Sequence, residues 1–302
     1  MSPRRAAEAA LVFNTLIWGA TFVLVKAALR DISPLLFLAL RFSLAAGALL
    51  AIFARRPPAS EPARFWKTIA AGSLAGVFLF AGYLLQTMGL RLTTAPRSAF
   101  ITGLTSIAVP LLAALVYRIR PLISEVAGVL VATAGLALMT LPGVLGPIGW
   151  GDLLTVFCAL AFAAHIVTLG HFTEQMSFRL LAVTQIGVAA FLGWALFSWA
   201  EQPRVTWRPA VVWAILITGL LATALAFTIQ AWAQRYASPA RTALIFMLEP
   251  VVAWITSYCM VGAGLSGRAA AGAALILGGV IVVELKPLNP RQHPLQEERQ
   301  EI

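Results

Sequence analysis

The chain has 302 residues, 60% of them hydrophobic and 11% charged, a balance that excludes an ordinary soluble domain and matches a polytopic membrane protein. Its formal charge of +10 comes from Lys and Arg set between apolar runs. That is how short cytoplasmic loops retain basic residues, so no nucleic-acid partner is expected. The two cysteines, Cys158 and Cys259, lie in apolar runs without framework spacing and read as small buried thiols.

Arg4 and Arg5 precede an apolar run over 9–29, too long for the core of a secretory signal and therefore read as a first spanning helix. A second runs over 33–53, with Ser33 as a cap and Pro34 at the first turn. The basic, proline-rich stretch 54–67 follows as a loop, and then helices over 68–90, 97–117 and 122–141. A Gly/Pro-rich, uncharged linker at 142–151 falls at the midpoint. Further helices are expected near 152–170, 179–199, 209–234, 239–260 and 268–284, and residues 286–302 read as a disordered cytoplasmic tail. Each apolar run covers a hydrocarbon core of about 30 Å at roughly 1.5 Å per residue.

The second half repeats the first. A shift of 144 positions sets Gln86 on Gln230, Arg91 on Arg235, Arg97 on Arg241, Phe13 on Phe157, Ser33 on Ser177, Gly128 on Gly272 and Gly135 on Gly279. Lys and Arg outside the runs favour the N-terminal side about twofold, with Arg55, Arg56, Arg64 and Lys67 the largest group, which predicts ten spans with both termini cytoplasmic. Five helices per half is an odd number, so the two halves enter the membrane from opposite sides. The predicted architecture is all-α and integral to the membrane, with ten transmembrane helices in two inverted five-helix repeats, 1–141 and 152–285. Inverted repeats are an architecture of secondary transporters, whose substrate site lies near the midplane between the halves.

Polar groups inside the spans are few and costly in lipid, which makes each informative. Arg41 lies seven residues beyond Pro34, roughly 10 Å into the membrane by helix rise. It reads either as a structural arginine binding carbonyls or as a cavity charge for a carboxylate. Glu249 stands before Pro250, which cannot donate to the helix ladder, and reads either as a cation or proton site or as a packing element. Pro110 offers a partly matching kink in the first half, away from the repeat-equivalent Ser106. His165 has no neighbour at metal-ligand spacing, so it is either a hydrogen-bonded interior histidine or a lining residue of the pathway. Helical spacing puts Asn14, Trp18 and Thr21 on one face, Tyr83 and Gln86 on another, Thr223, Phe227 and Gln230 on a third, and Phe246 with Glu249 on a fourth. Such stripes wall a cavity for an amphipathic solute or simply pack helices, as Gly72 and Gly76 do in a GxxxG contact.

No GxxxxGK[ST] loop is present, and Gly262, Gly264 and Gly267 match GxGxxG only in a turn between membrane helices, without a preceding strand. No nucleophile elbow or HExxH occurs, so neither an enzyme nor a cofactor is expected.

IWGATFVLVKAAL, LRFSLAAGALL with Arg41, the segment Gln86 to Arg97, and MLEPVVAWI from Met247 together resemble the EamA-type family of the drug/metabolite transporter superfamily. The resemblance covers both halves. It implies ten helices in two inverted repeats and export of small organic solutes, with bacterial aromatic amino-acid exporters of the inner membrane as the nearest likeness. Many relatives carry a Gly-Glu pair after the ninth helix, where this chain reads GAGLSGR. The expected function is export of amino acids, aromatic or otherwise neutral, by alternating access. Asn14, Trp18, Arg41, Tyr83, Gln86, His165, Phe227, Gln230, Phe246 and Glu249 are the candidate substrate contacts. Multidrug, organic-cation or nucleotide-sugar transport is the alternative within the fold, and a membrane enzyme acting on a lipid-linked substrate is the alternative outside it; a channel is a third. Protons are one candidate coupling ion, and a facilitator needs none. Ten helices enclose a cavity within one chain, so a monomer or weak oligomer in the lipid bilayer is expected.

Overall fold

A computed structural model describes residues 2–53, 62–93, 95–118, 122–140, 147–262 and 266–285. The helices are α1 (Pro3–Ala28), α2 (Pro34–Phe53), α3 (Pro62–Leu92), α4 (Ala95–Gly103), α5 (Thr105–Tyr117), α6 (Ile123–Thr140) and α7 (Trp150–Thr173). They continue as α8 (Phe178–Ala200), α9 (Pro209–Gly219), a π-helical turn Leu220–Leu225, α10 (Ala226–Ala233), α11 (Pro239–Phe246), α12 (Glu249–Val261) and α13 (Gly267–Leu285). Among the described residues, nine helical stretches are long and apolar enough to cross a membrane, and Gly267–Val283 is a shorter apolar one. The only extended pairing among them is one isolated antiparallel bridge, Ile32 to Val205.

Apolar side chains cover the outside as they do the core, with Leu115, Ile123 and Phe191 among the exposed residues. Trp66, Trp150, Trp199 and Trp207, at or near helix ends, are exposed too, as indoles at a membrane interface would be. Arg41, Glu125, Asp152, His165, Gln185, Gln230 and Arg241 are instead buried. Polar inside and apolar outside is the arrangement lipid demands.

Glycines set the closest helix contacts. A Cβ at Gly135 would come within 2.5 Å of the Gly272 carbonyl oxygen, and one at Gly128 within 2.8 Å of that of Gly279, so α6 and α13 meet backbone to backbone. Gly72 and Gly76 of α3 likewise meet Thr184 and Gln185 of α8. The GxxxG pair therefore packs helices.

Several expectations are corrected in detail. The 97–117 helix breaks at Leu104 into α4 and α5, while α5 runs on through Pro110. At the break, Thr105 Oγ1 donates to the carbonyls of Thr102 (2.6 Å) and Ala159 (3.2 Å), and Ser106 Oγ donates to that of Gly103 (2.9 Å). Side-chain hydroxyls that take these carbonyls compete with the backbone ladder, so hydroxyls and not the proline mark this break. The 239–260 helix breaks at Met247 and Leu248, whose amides turn back to Leu244 and Ile245 in tight i−3 bonds of 3.1 Å each, before Pro250. Ser33 does not cap α2: its Oγ accepts from the Arg204 amide at 3.3 Å, and Glu201 Oε2 takes the Leu35 amide at 2.8 Å instead. Cys259 is exposed rather than buried, on an outward face of α12. Gly262 closes α12 in the left-handed region at φ 67°, where glycine carries no steric cost. Gly264, the first half of the 142–151 linker (142–146) and the 286–302 tail lie outside the described residues.

Candidate functional site

The widened turn of the 209–233 segment organises the interior. A π turn inserts one extra residue into the α-helical ladder and turns carbonyls out of line with their usual donors. Side chains from two other helices take those carbonyls. Trp18 Nε1 donates to the Ala222 carbonyl at 2.8 Å and Asn14 Nδ2 to that of Ala226 at 2.7 Å. Arg41, from α2, donates through Nε to Thr223 Oγ1 at 2.6 Å, and through Nη2 to Tyr83 Oη at 3.1 Å and the Ala222 carbonyl at 3.3 Å. Its guanidinium carbon also stands 4.7 Å from the Tyr83 ring centre, at cation–π distance. Of the two readings of Arg41, carbonyl binding is what the geometry displays, and Nη1 makes no hydrogen bond among the described residues.

Around this knot the aromatic rings form one connected cluster. Trp18 meets Phe227 at 5.4 Å and Phe246 at 4.8 Å between ring centres, and Tyr83 meets Phe162 at 5.4 Å, Phe42 at 5.5 Å and Phe227 at 6.3 Å. His165 adds its edge to Phe227 at 5.7 Å and is hydrogen-bonded through Nε2 to Gln185 Oε1 at 2.8 Å. The cluster draws on α1, α2, α3, α7, α10 and α11, elements from both halves of the chain.

Glu249 is the first residue of α12 and half-buried. α1 approaches it at Gly19, where a Cβ would fall 2.9 Å from the Glu249 carbonyl oxygen and 2.6 Å from Val252 Cβ, so only glycine admits this turn. The Glu249 carboxylate is within electrostatic range of Tyr83 and Cys158, which places it toward the interior. It makes no hydrogen bond or ion pair among the described residues.

Seven of the ten candidate contacts thus share one knot of rings and π-turn bonds: Asn14, Trp18, Arg41, Tyr83, His165, Phe227 and Phe246. Glu249 follows three residues after Phe246. The two glutamines do not join by hydrogen bonding: Gln230 donates to Gln234 Oε1 at 3.0 Å, and Gln234 in turn to the Ile166 carbonyl at 2.9 Å. Gln86 is half-buried and makes no hydrogen bond among the described residues.

A second polar cluster closes one end of the bundle. Arg241 of α11, 1% exposed, donates through Nη1 to Glu8 Oε1 at 2.6 Å and through Nη2 to the Val283 carbonyl at 3.1 Å. Ser238 Oγ accepts from the Arg241 amide at 3.2 Å and donates to Glu125 Oε1 at 2.8 Å. The start of α11 is thereby clamped to α1 and α6. Elsewhere, Asp152 of α7 accepts from Thr93 Oγ1 at 2.7 Å and from the Gly149 amide at 2.8 Å. An apolar groove of ≈ 430 Å³ between α1, α9 and α12, with Leu16, Leu24, Ile217 and Met260 on its walls, presents no chemistry of this kind.

The model of the EamA-like transporter family matches residues 6–141 and again 149–285. The chain belongs to the EamA-like transporter family. A protein of Archaeoglobus fulgidus named as an uncharacterized transporter is 33% identical over 285 residues, covering 94% of this chain and 87% of that protein. The uncharacterized transporter YoaV of Bacillus subtilis is 22% identical over 283 residues, 90% of this chain and 94% of its own. A crystal structure of a protein 19% identical in sequence superposes with a TM-score of 0.77 over 99% of this chain and 100% of that one, which shows a shared fold. The protein is therefore a multi-pass membrane transporter with an EamA fold.

Sequence reasoning passed over Phe162, Thr223 as the Arg41 acceptor, and the Glu8–Arg241 pair. The repeat held a signal for two of them. Phe162 stands 144 positions after Trp18, and Asp152 the same distance after Glu8.

Proposed function

We propose that this transporter exports amino acids, aromatic or otherwise neutral, across the bacterial inner membrane by alternating access, with ten helices in two inverted repeats and both termini in the cytoplasm. The observation that carries the reading is that Tyr83, in a wall of rings, is hydrogen-bonded to Arg41 and lies within electrostatic range of Glu249, two side chains of opposite charge. An amino acid carries a carboxylate, an ammonium and an apolar side chain on one carbon. Arg41 Nη1, Glu249 and the rings of Trp18, Phe227 and Phe246 are the complementary set.

Helix contacts support the inverted repeat. Gly128 and Gly135 oppose Gly279 and Gly272, so each pair crosses over under the shift of 144. Trp18 on Phe227 and Phe162 on Tyr83 exchange under the same shift, and both pairs have a centre distance of 5.4 Å. Breaks at Leu104 and Leu248 fall at the same offset. Two discontinuous helices facing a shared interior are a common way to build a midplane site in transporters.

Counterflow into proteoliposomes, with a panel of labelled amino acids and with and without a pH gradient, tests the reading. Saturable exchange of one or more neutral amino acids is the expected result. Absence of exchange for the whole panel, or flux that neither saturates nor shows competition, overturns it.

A further inference from the structure

The polar groups around the ring cluster are unequally committed. Asn14 Nδ2 and Trp18 Nε1 are used by the π turn, His165 by Gln185, and Thr105 Oγ1 by the Thr102 and Ala159 carbonyls. Arg41 is spread over Thr223, Tyr83, the Ala222 carbonyl and the Tyr83 ring, with Nη1 alone unbonded among the described residues. The Glu249 carboxylate has neither a hydrogen bond nor an ion pair among the described residues. A carboxylate inside a membrane without a partner is costly, and the cost is relieved by a cation.

We propose that Glu249 is the docking point for the solute's ammonium group, and that this amine, rather than a carboxylate, is what the site requires. The reading rests on the amino-acid assignment above and narrows it. Two features beside the carboxylate fit an ammonium. The Phe246 ring, three residues earlier, stands edge-on to Trp18 at 4.8 Å, and these two half-buried rings offer aromatic surface to a cation. Pro250 has no N–H, so the Phe246 carbonyl lacks its helical i+4 donor. A solute carboxylate, in contrast, meets an arginine whose other donors are already taken. It contributes orientation more than affinity.

The chemical class follows. The site takes primary amines that carry an apolar or aromatic group, whether or not they also bear a carboxylate, and rejects the corresponding acids.

The test compares phenylalanine, its decarboxylated amine (phenethylamine) and its deaminated acid (3-phenylpropionate). Each is measured by thermal stabilisation of the full-length protein in detergent and by competition in counterflow. Phenylalanine and the amine are expected to bind and the acid to fail, and Glu249→Gln is expected to weaken amine binding about 10- to 100-fold, the range of a charge-assisted hydrogen bond. Equal binding of acid and amine overturns the proposal, as does amine binding at wild-type strength in Glu249→Gln. Where that variant does not fold, the three solutes compared on the unaltered protein decide alone. Exchange of the amine without any amino acid leaves the ammonium site standing and overturns the amino-acid reading. Exchange of phenylalanine with the acid competing as well as the amine does the reverse, and no binding by any of the three overturns both.

Discussion

Replacing Glu8 by Gln tests how the start of α11 is held. Arg241 is 1% exposed and the Glu8 side chain 11%, with 2.6 Å between Nη1 and Oε1, so the pair is shielded from water. Glutamine keeps the shape and one acceptor oxygen but removes the opposing charge from a buried guanidinium. Breaking a buried pair in this way costs about 3–5 kcal/mol, because the remaining charge stays desolvated. The second partner of Glu8, Arg4, is a more exposed i+4 contact at 2.8 Å worth only about 0.3–0.5 kcal/mol, so Arg4→Ala is the matching control. Unfolding of the purified protein in detergent, followed by tryptophan fluorescence, gives the free energies for Glu8→Gln, Arg241→Met and the double variant. The double variant is expected to lose less than the sum of the singles, by about 0.5–3 kcal/mol. A loss below about 0.5 kcal/mol for Glu8→Gln, the range of an ordinary surface change, refutes the reasoning, and so does strict additivity.

Two further outcomes follow from contacts already described. Gly135→Ala drives a methyl to 2.5 Å from the Gly272 carbonyl and is expected to cost about 1–3 kcal/mol in the same unfolding assay, whereas Gly47→Ala, with nothing within 4 Å, gains up to about 1 kcal/mol from helix propensity. Thr223→Val removes the acceptor that Arg41 Nε holds at 2.6 Å and is expected to cost about 1–3 kcal/mol and to lower counterflow, with Thr223→Ser restoring both; equal values for the two variants would show that the hydroxyl is idle.

The membrane class and the positions of most helices could be read from runs of apolar residues, because lipid imposes one requirement on every span. Family membership could be read too, from motifs whose order mattered more than any one of them. What escaped were the break at Leu104 and the wide turn, whereas Pro250 marks the break at Leu248. Leu104 and Leu248 are ordinary apolar residues, and the residues that act on their ladders sit one or two places on: Thr105, Ser106 and Pro250. Leu220–Leu225 reads LLATAL, which carries no mark of a π turn. Its widening shows only through Asn14, Trp18 and Arg41, which approach from elements far away in sequence. Polar stripes read at helical spacing named rings that the fold brings together but also Gln230, whose partner Gln234 sits four residues on along its own chain segment. Spacing tells which residues share a face, and not whether that face meets a cavity or its own neighbours.

The two breaks are made by different chemistry at one offset. Hydroxyls of Thr105 and Ser106 unsettle the first, and a proline that cannot donate accompanies the second. Under the proposed inverted repeat, a break that arises twice by separate means reads as a requirement of the arrangement, since each sets a short helix, α4 or α11, before a longer one. The residue after each break then distinguishes the halves. Thr105 has its hydroxyl bonded to Thr102 and Ala159, so the first break is complete in itself. Glu249, at the equivalent place, has no such bond, and α11 before it is clamped at its far end by Glu8 and Glu125. A solute amine that neutralises Glu249 acts at one end of α11 while the ion pair holds the other. If Glu249 docks the amine as proposed, substrate occupancy and the position of that short helix are expected to be coupled through its eight residues.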